Sequence, residues 1–158
     1  MVKASLAIRR APPTRKDRLR LWIRLLRATR TIEAELRERL KQQFDTTMPR
    51  FDVMAALYRA PDGMLMADLS RLLLVSHGNV TGIVDHLVSE GLASRARRNG
   101  DRRTSIIRLT DSGTEAFGEM AAAHEAWVDE LLGGFDIEET QRLAAMLRSF
   151  RSNWEEGT

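Results

Sequence analysis

The stretch NGDRRTSIIRLTDSG, residues 99–113, decides the fold. Asn99-Gly100 is a strong turn signal, because both residues tolerate positive φ. Beyond it, Ile107 and Leu109 alternate with Ile106 and Arg108, the period of a short strand. RARR, residues 95–98, reads as the antiparallel partner on the other side of the turn. Asp101, Arg102 and Arg103 then fall at the tip of a hairpin, where burial is not expected. An exposed hairpin with so many guanidinium groups calls for an anionic partner.

The rest of the chain narrows what that partner is. At 158 residues the sequence is long enough for one domain with a real core. It contains no cysteine, which excludes disulfides, cysteine zinc sites and thiol redox sensing. No apolar run approaches the ~20 residues that span a membrane, and MVKASLAIRRAPPTRK at the start has too few apolar residues for a signal peptide. A soluble cytoplasmic protein is expected, with a flexible segment over residues 1–14. The net charge of +3 hides an asymmetry: residues 1–50 sum to +9, residues 51–110 to +2 and residues 111–158 to −8. A basic head and an acidic tail attract if they pack together, within one chain or across a dimer.

Most of the chain reads as helix. RLRLWIRLLRATRTIEAELRERLKQQF (18–44) carries Leu25, Ile32, Leu36 and Leu40 in an apolar line, with Glu33→Arg37 and Glu35→Arg39 as favourable i,i+4 pairs. A second helix starts after Thr46 or Thr47, tolerates Pro49 in its first turn, and ends at PDG (61–63). MADLSRLLLVS (66–76) is a short third helix. SHGNVTGIVDHLVSEGL (76–92) is a fourth, capped by Ser76 and stopped by Gly91. After the hairpin, TDSGTEAFGEMAAAHEAWVDELL (110–132) is a fifth helix, ended by Gly133-Gly134. Asp136 and Glu139 form a capping-box start for a sixth, with Leu143, Leu147, Phe150 and Trp154 on one stripe.

The fourth helix gives the hairpin its context. Val80, Ile83, Val84, Leu87 and Val88 follow the pattern of a helix with one buried face. The opposite face begins with Ser76, His77, Gly78, Asn79 and Thr81, all small or polar. Such a helix fits a DNA major groove, where Asn pairs in bidentate fashion with adenine and His donates to guanine. Helix–turn–helix followed by a basic hairpin is a winged helix, and its arginines are placed to enter the minor groove beside the helix. Residues 76–89 contain no Lys or Arg. Phosphate neutralisation is therefore expected from Arg50, Arg71, Arg95, Arg97, Arg98, Arg102 and Arg103.

Two motifs, DRRTSIIRLTDSG and VSHGNVTGIVDHLVSEGL, resemble the wing and the recognition helix of MarR-family transcriptional regulators. The resemblance covers residues 18–155. It implies a mainly α fold with a small β-wing: a winged helix–turn–helix domain plus a helical dimerisation lobe, in a homodimer. The corresponding boundaries are a dimerisation helix over 15–47, the DNA-binding domain over 48–110 and C-terminal dimerisation helices over 111–158. It also implies repression from a palindromic operator, relieved by a small molecule. By position, Arg103 is the wing-tip arginine, Asp101 orients it, Arg102 supports it at phosphate, and His77, Asn79 and Thr81 read bases.

The effector is read from a charge row. Arg20, Arg24 and Arg27 fall at i, i+4, i+7 beside Trp22, and like charges so spaced repel unless something anionic compensates them. One candidate is the acidic tail, through Glu115, Glu119, Glu125 or Asp129. The other is an anionic effector, with its apolar part against Trp22, Met54, Tyr58, Phe117, Met120 and His124. The first two helices look most like MarR-type repressors of aromatic-acid catabolism, which implies an aromatic acid or its coenzyme A thioester. His77, His86 and His124 are scattered without metal-ligand spacing, so no metal and no other cofactor is expected. Nothing resembles a nucleophile, an acid–base set or a phosphate loop, so an enzyme is not expected. The alternative function is an architectural DNA-binding protein without an effector, because its helix and wing would look the same.

Overall fold

A computed structural model describes residues 12–73, 77–97 and 105–155. In chain order the elements are α1 (Arg15–Phe44), α2 (Met48–Tyr58), β1 (Met64–Leu65), α3 (Met66–Leu73), α4 (His77–Ser89), β2 (Ala93–Arg97), β3 (Ser105–Leu109), α5 (Asp111–Leu132) and α6 (Ile137–Glu155). The chain divides into two compact units, residues 1–35 and 36–158.

In the first unit, α1 begins three residues earlier than the apolar pattern indicates. Thr14 Oγ1 accepts from the Asp17 amide (3.2 Å), and the Asp17 carboxylate accepts from the Thr14 amide (3.0 Å). This is a reciprocal cap, and the signal Thr-x-x-Asp was present in the sequence. Leu19, Leu21, Trp22, Ile23 and Leu25 are all exposed on this stretch.

In the second unit, the end of α1 contributes Leu36 and Leu40 to the buried residues, so the expected apolar line is buried only at its C-terminal end. α2 starts where the local chemistry demands: Thr47 takes extended backbone, accepts from the Arg50 amide, and Pro49 sits in the first turn, where a missing N–H costs nothing. Phe51, Val53, Met54, Ala56 and Leu57 of α2 join Leu69 of α3, Val80, Val84 and Leu87 of α4, Ile107 of β3, and Phe117 and Met120 of α5 in one core. Burying a side chain of this size stabilises the fold by about 1.5–3 kcal/mol.

The sheet has three antiparallel strands in the order β1-β3-β2. The hairpin pairs Arg95 with Ile107 and Arg97 with Ser105, so Ile107 points into the core while Arg108 faces out. β1 is an addition to the two-strand wing read from the sequence. Its two residues, Met64 and Leu65, pair with Ile107 and Ile106 after a turn in which Gly63 has φ +90°. A Cβ at Gly63 would also lie 2.5 Å from side-chain atoms of Arg108 and Ile106. Only glycine fits that corner.

Candidate nucleic-acid interface

α4 separates its faces in part: Val88, expected on the buried side, is 37% exposed, and Ile83 is half-buried. Val80, Val84 and Leu87 are fully buried, whereas Asn79, Gly82, Asp85, His86 and Ser89 are exposed. The helix ends in a Schellman motif: Leu92 N–H donates to the Leu87 carbonyl (2.9 Å) and Gly91 N–H to that of Val88 (3.0 Å), with Gly91 at φ +74°. That turn feeds β2 directly and sets the hairpin beside the exposed face of α4. Thr110 then locks the far end of the hairpin: its hydroxyl donates to the Gly91 carbonyl (2.7 Å) and accepts from the Gly113 amide (3.0 Å).

The expected DNA-contacting residues divide as follows. Asn79 is exposed on α4 and Thr81 is half-buried there. Arg71, on α3, is exposed and pairs with Asp68 at 3.0 Å. Arg95, on β2, pairs with Asp85 of α4 at 2.7 Å. Ser76, Arg98, Asp101, Arg102 and Arg103 lie outside the described residues, as do the side chains of His77 and Arg97.

The arginine partners went unread in the sequence. Arg50, expected at phosphate, donates from Nη1 to Glu90 Oε1 at 2.9 Å and from Nη2 to Glu90 Oε2. These bonds hold the Glu90 carboxyl below its ordinary range, against the opposing effect of desolvation. Arg50, Arg71 and Arg95 are therefore each charge-compensated within the chain. Arg108 is committed as well, with Nε donating to the Asp62 carbonyl at 2.6 Å. Beside these pairs, Thr47, Arg50, Asn79, Gly82, Ile83 and His86 line an open groove of 410 Å³ along α4.

The residues expected at an effector fall in two places. Arg20, Trp22, Arg24 and Arg27 are exposed on α1 in the first unit, with Arg20 paired to Asp17 at 3.3 Å. Arg24 and Arg27 have no ion-pair partner among the described residues. In the second unit, α2 and α5 bring Phe51, Tyr58, Phe117 and His124 into an aromatic cluster. Phe51 stacks on His124 at 4.7 Å between ring centroids, and Phe117 lies 5.0 Å from Tyr58. Met54, Phe117 and Met120 are core side chains, and the cluster reaches the surface through Tyr58, 49% exposed, and the half-buried His124. A cavity of 330 Å³ touching Met120 also carries Asp45, Glu90 and Glu119 against the one cation Arg50, which does not suit an anion.

Residues 44–104 match the sequence profile of the MarR family. The HTH-type transcriptional regulator MhqR of Bacillus subtilis is 30% identical to this chain over 131 residues, covering 82% of this chain and 88% of that one. The chain belongs to the MarR family. It is a DNA-binding transcriptional regulator and not an enzyme. YdgJ of Bacillus subtilis, an HTH-type transcriptional regulator, is 31% identical over 66% of this chain, and the match spans 63% of YdgJ's length. The crystal structure of Streptococcus pneumoniae FabT in complex with DNA superposes with a TM-score of 0.74 at 22% identity, covering 90% of this chain and all of that one. That likeness gives this MarR-family chain the winged-helix fold.

Proposed function

We propose that this MarR-family regulator is a homodimer that represses from a palindromic operator and is released by a small anionic aromatic effector. His77, Asn79 and Thr81 read bases in the major groove, with Ser76 at the DNA-facing start of the helix. Arg103, oriented by Asp101, enters the minor groove, with Arg102 and the nearby Arg71, Arg95, Arg97 and Arg98 at phosphate. The observation that carries this reading is the exposed polar face of α4 set beside the β2–β3 hairpin. FabT, of the same fold, was crystallised with DNA.

The homodimer is supported by apolar side chains that α6 leaves exposed, Leu143, Met146 and Leu147 among them. For the effector, the chain supplies the two chemistries separately. Arg24 and Arg27 offer guanidinium groups for a carboxylate or phosphate, and the Tyr58 and His124 end of the aromatic cluster offers ring faces. An aromatic acid or its coenzyme A thioester carries an anionic group and a ring.

The test is a selection from a random duplex pool with the wild-type chain, followed by anisotropy titration of the enriched duplex. Aromatic carboxylates and their coenzyme A thioesters are then added. Release by a member of either class supports the reading. A stable complex at millimolar concentrations of all of them leaves a DNA binder without this effector class.

A further inference from the structure

Gly82 stands in the middle of α4 and is exposed. Glycine there destabilises a helix relative to alanine, because it loses more backbone freedom on folding. Gly63, Gly91 and Gly113 have reasons inside the chain. Gly63 and Gly91 need positive φ, and a Cβ at Gly113 would lie 1.8 Å from the Leu92 carbonyl oxygen. Gly82 has neither reason: its φ is not positive, and an added Cβ would meet nothing within 4 Å. Gly118, on α5, and Gly134, before α6, are likewise open, but neither lines the groove along α4. What distinguishes Gly82 is its place in the open groove along α4.

Its surroundings say what approaches it. Gly82 lies between Asn79 and His86 on one face of α4 and lines the open groove with them. Residues 77–89 carry no Lys or Arg, so this helix is not drawn to phosphate by its own side chains. It has to fit by shape. A helix with its side chains is about 10–12 Å across and the major groove about 12 Å wide, so a missing side chain at mid-face lets the axis sit deeper.

We propose that Gly82 is the point of closest approach between α4 and the base edges of double-stranded DNA, and that the absence of a side chain there determines specificity. This rests on the reading of α4 as the DNA-reading helix. The two are separated by experiment in the full-length chain. The probes are the duplex enriched from a random pool by the wild-type chain and an unselected duplex of equal length. The variants are Gly82→Ala and Gly82→Leu, each also followed by thermal melting.

Gly82→Ala should melt about 2–4 °C above the wild type, as a gain in helix propensity predicts for a chain of this size. It should nevertheless bind the enriched duplex about tenfold more weakly, and Gly82→Leu about a hundredfold more weakly, as expected for the loss of one base-edge fit. Affinity for the unselected duplex should stay within about threefold, since phosphate contacts dominate there. Wild-type affinity of both variants for the enriched duplex overturns the inference while leaving the reading of α4 intact. Equal losses on both duplexes overturn it too, because the obstruction would then be to the DNA backbone. A melting point below the wild type for Gly82→Ala overturns it by placing the role of Gly82 within the fold. If the wild-type chain enriches no sequence, the reading of α4 fails and the inference falls with it.

Discussion

Arg50, in the first turn of α2, donates from both terminal guanidinium nitrogens to the carboxylate of Glu90, the residue after the end of α4. The pair spans 40 positions of sequence and joins the start of one core helix to the end of α4. With the Schellman turn at Gly91, it fixes where α4 stops and where the wing begins.

The pair predicts a pH dependence. The Glu90 carboxyl is lowered in the folded chain, chiefly by the Arg50 hydrogen bonds. A lowered carboxyl contributes stability above its unfolded value, about 4.3, and loses it as pH falls through the folded value. Glu90→Gln should therefore melt below the wild type at neutral pH, by the ~1 kcal/mol or less of a partly exposed pair. The gap should close below about pH 4. Thermal melts across this range check it, and an undiminished gap at the acid end contradicts it.

Leu147 is 51% exposed on α6, with Met146 and Leu143 also exposed beside it. Leu147→Asp should leave the core of the second unit folded but abolish the dimer. Light scattering of the variant should give the monomer mass, with helix content by circular dichroism retained. A dimer of wild-type stability would remove α6 from the interface.

Asn79 is exposed on α4 with a side chain suited to adenine. Asn79→Ala should cost roughly 1–3 kcal/mol on the enriched duplex and relax preference at one position per half-site. Equal losses on enriched and random duplexes would show that Asn79 does not read a base.

Two arginine substitutions separate wing from effector. Arg103→Ala should weaken DNA binding and flatten the salt dependence of log K by about one phosphate's worth, leaving effector affinity unchanged. Arg24→Ala should keep near-normal DNA affinity but need about tenfold more effector for release, as loss of a charge-assisted contact worth about 1.5–3 kcal/mol implies. Anisotropy titrations of both variants give the comparison. If Arg24→Ala loses DNA affinity as Arg103→Ala does and releases normally, the arginine row does not serve an effector.

What the sequence made legible was local. The Thr47 cap, the reciprocal Asp136–Glu139 cap (2.8 and 3.1 Å) and the Gly91 stop each depend on residues within a few positions, and all three are present. Val80, Val84 and Leu87 of the buried stripe of α4 were readable for the same reason, whereas Val88 is exposed. Long-range pairings were not. Nothing near Arg50 names Glu90, and nothing near Arg95 names Asp85 as its partner. An ion pair joins residues 1–50 to the acidic tail, Arg39–Glu130 (2.6 Å), and the charge totals name neither residue. β1 was missed because two residues carry no periodicity. The core positions of Met54 and Met120 were missed because an apolar residue on a helix reads alike as core or as pocket wall.

The central claim is that a two-fold dimer reads a palindrome through α4 and the wing. A hydroxyl-radical footprint of the wild-type chain on the enriched duplex tests it most directly. The account predicts two protected half-sites related by a dyad, with centres about 10–11 base pairs apart and minor-groove protection flanking each. A single half-site, or protection spread evenly along the duplex, would contradict it.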